Sequence, residues 1–211
     1  MPATSVPFHI VKRLALAPRV WRVALAAIWL AAAAAGLWML WRYDNTPGEA
    51  ARAPEQWPAL ATMARASDRP TLVMLAHPHC TCTRASLGEL AETIARARTS
   101  PRTYVLFMAP ARFEKDWEKT DLWQTAAALP GATVVRDDDG RMAQQFGAVT
   151  SGQVLLYDAG GALIFSGGIT GARAHAGDNV GRQSLVALLN REPAIQRGSK
   201  VFGCSLFDRG I

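Results

Sequence analysis

Apolar and polar positions are arranged along this chain on three scales, and each predicts a different kind of element. Residues 23–41 (VALAAIWLAAAAAGLWMLW) run without a charge. The apolar surface covers the whole circumference of the helix this run would form, so no single face is marked for packing on a core. At ~1.5 Å per residue such a helix spans roughly 28 Å, close to the about 30 Å of a bilayer's hydrocarbon core. Further on, residues 71–76 (TLVMLA) and 103–109 (TYVLFMA) are short continuous apolar runs, as expected of strands buried on both faces. A shorter run at 132–136 predicts a third strand. Residues 153–157 and 162–166 predict a hairpin across Asp158-Ala159-Gly160-Gly161. Apolar residues spaced three or four apart predict helices over 55–66, 83–98, 113–129, 141–146 and 183–190.

Strands that alternate with helices pair in parallel, and a closing hairpin adds an antiparallel edge. The predicted fold is therefore α/β, a mixed central sheet flanked by helices and preceded by one transmembrane helix. The organisation is a basic tail at 1–22, an anchor at 23–41, a polar linker with two prolines at 42–54, a folded domain at 55–192 and a C-terminal tail at 193–211.

Charge sharpens the membrane reading and removes another. The net charge is +6, which invites a nucleic-acid partner. Yet Lys12, Arg13, Arg19 and Arg22 precede the apolar run with no acid among them, and the rest of the chain carries 19 basic against 17 acidic residues. The excess belongs to the flank of a membrane segment, so no nucleic acid is expected as a partner. After the run, Arg42 and Arg52 stand beside Asp44, Glu49 and Glu55. The positive-inside rule then puts the N-terminus in the cytoplasm and the folded domain outside the inner membrane, in the periplasm or its equivalent. Trp21, Trp38 and Trp41 stand at the two ends of the span, where amphipathic rings favour the interface. A cleaved signal peptide is the rival, since 31–35 offers small residues of the A-x-A kind, but the apolar run continues past them. Either way the domain reaches the same side, where disulfides persist.

Candidate chemistry lies at Cys80-Thr81-Cys82, between the 71–76 strand and the helix that follows. A cysteine at a helix N-terminus feels unpaired N–H groups and the positive end of the helix dipole, which favour thiolate, the nucleophilic form. Cys80 is assigned as the more exposed, attacking cysteine and Cys82 as the one that resolves the mixed disulfide. Arg84 could add positive charge and His79 could move a proton. A C-x-C disulfide closes a smaller ring than C-x-x-C, so the pair is expected to donate disulfides more readily than it reduces them.

Strand 71–76, HPHCTC, a helix, and then FGAVTSGQVLLYDAGGALIFSGGIT together resemble the thioredoxin superfamily, and within it the membrane-anchored extracytoplasmic proteins of the RedB-like group. The likeness covers roughly residues 55–192. It implies thiol–disulfide oxidoreductase activity through Cys80 and Cys82, protein thiols and disulfides as partners together with a redox partner that resets the pair, and no cofactor. Two departures stand out. The motif is C-x-C, and where the superfamily carries a cis-proline facing its cysteines this chain reads Thr150-Ser151-Gly152. The missing proline is expected to leave more room beside the sulfurs, with Thr150 a candidate supporting residue.

Other readings stay open. His77, His79, Cys80 and Cys82 form a set that suits copper(I) or zinc, so a copper-binding assembly factor is the principal alternative; a redox-inert docking domain is a third. Cys204 is either a third redox partner folding back on the pair or a tail thiol without a role. In the loop 171–181, His175 is a candidate proton donor, and Asp178 or Asn179 a helix cap. Asp137–Gly140 reads as a turn rather than a calcium loop, because the twelfth position of that pattern is Ala148 and not glutamate. Trp117 and Trp123 are expected to fill core or surface grooves.

Overall fold

The computed structural model describes residues 18–49 and 52–207. Two compact units divide the chain after Arg42. Among the described residues the first holds one helix, α1 (Pro18–Asp44), which runs two residues past that boundary, with mean hydropathy 2.1 across its apolar window and none of that window buried. It is long and apolar enough to cross a membrane, consistent with an anchor. Lys12 and Arg13 of the basic tail lie outside the described residues.

In the second unit the elements run β1 (Thr71–Ala76), α2 (Thr81–Arg96), β2 (Arg102–Ala109), α3 (Asp121–Ala127), β3 (Ala132–Asp138), α4 (Arg141–Gln145), β4 (Gln153–Tyr157), β5 (Leu163–Gly168) and α5 (Val180–Leu189). The sheet order is β3-β2-β1-β4-β5. Strands β1, β2 and β3 are parallel, and β4 is antiparallel to both β1 and β5. This is the mixed sheet that the sequence predicts, as the resemblance to the thioredoxin superfamily also implies.

The continuous apolar strands divide between two cores because successive side chains point to opposite faces. Leu72, Met74, Val105, Phe107, Val154 and Leu156 join Leu87 and Leu90 of α2, Leu122 of α3 and Leu185 and Leu189 of α5. On the other face Val73, Leu75, Leu106, Leu155 and Tyr157 join Met142 and Phe146. One buried ion pair ties α2 to α5: Glu89 Oε2 lies 2.7 Å from Arg182 Nη1, and Glu89 also accepts from the Gly177 N–H at 2.6 Å. Asn179 caps α5 by accepting from the Arg182 N–H at 2.8 Å, as the sequence suggests.

Three expectations are corrected. Residues 55–66 do not form a helix. Their backbone is spent on the β4–β5 hairpin, where Trp57 N–H donates to Gly161 O and Leu163 N–H to Glu55 O, both at 2.8 Å. The Trp57 ring meets Phe146 and Tyr157 edge-on at 5.1 and 5.3 Å, a tertiary contact that outweighs the helical spacing. The helix predicted over 113–129 is cut to α3, because Asp116 takes a positive φ of 67° and Thr120 starts the helix as its cap. Strand β3 runs on through Asp137 and Asp138, so the turn falls at Asp139 and Gly140, both at positive φ. Both segments that flank the predicted domain are hydrogen-bonded to it. In the linker, Gly48 N–H donates to Val201 O at 2.8 Å and Thr150 Oγ1 to Glu49 O at 3.2 Å. Residues 198–207 of the tail dock on the sheet, with Val201, Phe202 and Leu206 buried.

Candidate active site

Strand β1 ends at Ala76 and α2 begins at Thr81, with Cys80 as its N-cap in an extended conformation (φ −109°, ψ 124°). Cys80 therefore sits at the carboxyl end of the central strand and the positive end of a 16-residue helix. Cys82 lies in the first turn. Thr83 Oγ1 accepts from the His77 N–H at 3.2 Å, and Thr120 Oγ1 donates to Pro78 O at 3.0 Å, so the His77–Cys80 loop is held from both sides.

The third sulfur comes from the tail. Cys204 Sγ lies 2.6 Å from Cys80 Sγ, inside ordinary van der Waals contact. Ser151 fixes this approach. Its N–H donates to Cys204 O at 2.8 Å, its Oγ accepts from the Cys204 N–H at 3.0 Å, and its hydroxyl donates to Cys80 Sγ at 3.5 Å. Leu206 N–H donates to Val149 O at 2.9 Å, and Thr150 bridges antiparallel to Ser205. The tail thus adds a short strand along residues 149–151. Arg173 Nη1 secures it further by donating to Gly203 O at 2.6 Å.

These contacts revise two expectations. Among the described residues no peptide bond is cis. The room that a missing proline was expected to leave is filled by Ser151 and Cys204. Nor is Cys80 exposed: only 2% of its surface is accessible, against 4% for Cys82, and Cys204 is the most open of the three. The tail lying against Cys80 is the physical reason. An open cleft of about 200 Å³ still reaches Cys80, between His79, Thr81, Arg84, Thr120 and Asp121.

The electrostatics differ sharply among the three thiols. The hydrogen bond from Cys204 holds Cys80 far below the usual thiol range, helped by Cys82, opposed by burial, and helped again by Ser151 and the Thr83 N–H. Cys204 is pushed far up, first by its bond to Cys80, then by Cys82 and burial. On Cys82 a downward pull from Cys204 is outweighed by Cys80 and by burial, and the net shift is upward. These directions favour the charge at Cys80 and the protons at Cys82 and Cys204.

Around the sulfurs, Arg84 is paired with Asp121 at 2.5 Å, both exposed, so its charge is committed there rather than to the thiols. Burial lowers the His77 pKa, partly offset by Cys80, and its Nδ1 accepts from the His79 N–H at 3.2 Å. His79 Nε2 meets Trp117 O at 3.2 Å, and its ring packs at 4.6 Å from the Trp117 ring, which Phe113 stacks at 4.4 Å. Trp117 thus lies at the site, while Trp123 packs on the core beside Phe107. Both imidazoles are turned to partners other than sulfur, and among the described residues no group of three or more His, Cys, Asp or Glu side chains is arranged to hold a metal ion. The 171–177 loop does reach the site, but through the Ala174 N–H, which donates to Cys82; His175 Nδ1 turns back to Arg173 O at 2.7 Å. Ser151, Thr120 and Ala174 are the contributors that sequence reasoning missed. The hydrophobic spacing of Val201, Phe202 and Leu206 around Gly203-Cys204 was the one signal that the tail packs.

No family model matches the chain, and no curated protein matches it. Solved structures do. A hypothetical protein from Sinorhizobium meliloti superposes at a TM-score of 0.57 with 15% identity, covering 76% of this chain and 98% of its own. An uncharacterized conserved protein from Geobacillus kaustophilus gives 0.57 and 16%, covering 78% of this chain and 100% of its own. Both likenesses are of fold. The exposed lipoprotein thioredoxin of Streptococcus pneumoniae overlaps more loosely, at a TM-score of 0.43 and 16% identity over 66% of this chain and 99% of that one.

Proposed function

We propose that this chain is a membrane-anchored thiol–disulfide oxidoreductase that acts outside the cytoplasm on protein thiols, with Cys80 as one sulfur of its exchanging pair. One observation carries the reading: Cys80 stands at the N-terminus of α2, where thiolate is favoured, within touching distance of a second sulfur. Thiolate at one sulfur and a second sulfur in reach are the two requirements of disulfide exchange. Its direction follows from the same feature. A stabilised thiolate stabilises the reduced protein, which makes the corresponding disulfide a stronger oxidant, so the site donates disulfides rather than reducing them. A second cleft of about 500 Å³, lined by His77, Phe113, Trp117, Leu206 and Phe207, offers an apolar side chain of the client a place on the His77 side of the site.

Equilibration with glutathione tests the chemistry. Wild-type protein is expected to give a potential well above that of thioredoxin, and Cys80→Ser to exchange with no dithiol at all. A potential as reducing as thioredoxin's, ~−270 mV, would overturn the donor reading. For the compartment, a C-terminal alkaline phosphatase fusion should be active in intact cells if the domain lies outside.

A further inference from the structure

The oxidoreductase reading leaves open which sulfur pairs with Cys80. Resting on that reading, we propose that the exchanging disulfide is Cys80–Cys204, between the start of α2 and the C-terminal tail, and that Cys82 is a positioning residue rather than the resolving cysteine. Cys204 Sγ stands 2.6 Å from Cys80 Sγ. Its backbone is fixed there at both polar groups by Ser151, and the flanking residues are anchored by Leu206, buried in the second core, and by Arg173 on Gly203 O. A tail without a role has no reason to be clamped residue by residue against a buried nucleophile. Gly203 makes the approach possible, since a Cβ there would collide with Ser151 O.

In the exchange, a thiolate of a protein dithiol client attacks Sγ of Cys204, the more open residue of the pair. The client–Cys204 disulfide forms as the Cys80–Cys204 bond breaks, and the electron pair stays on Cys80 as thiolate. The client's second thiolate then attacks its own sulfur in the mixed disulfide, and Cys204 leaves and takes up a proton. Two electrons pass from the client to Cys80 and Cys204, one of the client's two protons ends on Cys204 and the other in solvent.

Sequence makes the test direct. Cys80 and Cys82 share the tryptic peptide that ends at Arg84, whereas Cys204 follows Lys200 and falls in another. The full chain in detergent, oxidised with glutathione disulfide and digested without reductant, should yield the two peptides cross-linked. The link should survive Cys82→Ser and vanish in Cys204→Ser. With a peptide dithiol as the probe, Cys204→Ser is expected to slow oxidation by ~100-fold and Cys82→Ser by less than ~10-fold. A bond within the Arg84 peptide with Cys204 free to alkylate, a link retained in Cys80→Ser but lost in Cys82→Ser, or the reverse ranking of rates would overturn the proposal. Mapping wild-type protein needs no variant to fold. Failure of the underlying reading would look different: the cross-link would form, yet wild-type protein would pass no disulfide to the dithiol.

Discussion

Two segments bring a sulfur to Cys80, and they do so by opposite means. Cys82 arrives by local structure, two residues along at the opening turn of α2. Cys204 arrives from the tail, along a strand held by Ser151, Val149 and Arg173. Apart from the other sulfurs, the local neighbour is held by its helix and by the Ala174 N–H. The distant one is fixed on both its backbone polar groups and packed on both sides. Sequence proximity thus says which thiols share a turn, whereas hydrogen bonding and burial say which sulfur is held at bonding approach.

The largest way to break the comparison is to remove the glycine that lets the tail approach. Gly203→Ala places a Cβ against Ser151 O, a backbone atom that cannot swing aside. The tail strand is expected to leave residues 149–151, and disulfide transfer to a peptide dithiol to fall by ~100-fold, as in Cys204→Ser. The matching change on the helix side is Gly88→Ala in α2, where nothing lies within 4 Å of the new Cβ. Exchange there should be unaffected and thermal stability should rise by roughly 0.5–1 kcal/mol, the helical preference of alanine over glycine. Equal activity in the two variants would mean that the tail is not needed.

How legible the molecule was in its sequence follows the same division. Strands β1, β2 and β4 and helix α2 were readable because continuous apolar runs and three-to-four spacing report burial directly, and Cys80-Thr81-Cys82 was readable because a strand–helix junction is local. The segment 55–66 was misread because helical spacing of Trp57, Leu60 and Ala61 also serves a loop whose partner, the β4–β5 hairpin, lies far along the chain. Ser151 was invisible as a contributor: its part depends on one hydroxyl meeting two chain segments at once. Cys204 was seen as a candidate, but beyond the apolar spacing of Val201, Phe202 and Leu206 nothing local says where the tail docks.

A middle-sized effect is expected from Ser151→Ala. The hydroxyl donates to Cys80 Sγ and accepts from the Cys204 N–H, so its loss removes both bonds inside a fully buried site and should cost about 1–3 kcal/mol. The Cys80 titration, followed by ultraviolet thiolate absorbance, should move up. The same thiolate makes stability depend on pH. Cys80 is depressed from an ordinary value of 9.0, so below that value the unfolded chain binds a proton that the folded, reduced protein does not. Reduced wild-type protein should therefore gain stability over Cys80→Ser as pH rises from acid toward about 9, and that gain disappears as pH falls through the folded pKa. Cys82 and Cys204 are raised from 9.0, so their contribution is present below that value and is lost as pH climbs beyond it. A melting-temperature difference that stays flat between pH 5 and 9 would falsify the depressed Cys80.

The smallest effect is expected where sequence reasoning placed a proton donor. His175 stands in the loop that reaches the sulfurs, yet its Nδ1 turns to Arg173 O at 2.7 Å, and the loop's contact with Cys82 is the Ala174 N–H. A backbone amide neither titrates nor is removed by a side-chain change. His175→Ala should therefore leave the rate of dithiol oxidation within ~3-fold of wild type at every pH, since general acid–base catalysis by a positioned side chain is typically worth ~100-fold or more. Ala174 itself stands at a positive φ of 55°, which glycine adopts without strain. Ala174→Gly keeps the N–H, so the Cys82 titration should stay where it is while Cys80–Cys204 exchange continues. If His175→Ala instead abolished an arm of the pH–rate profile, the loop would act through its imidazole, and the division between a locally placed Cys82 and a tail-delivered Cys204 would have to include a third, titrating contributor.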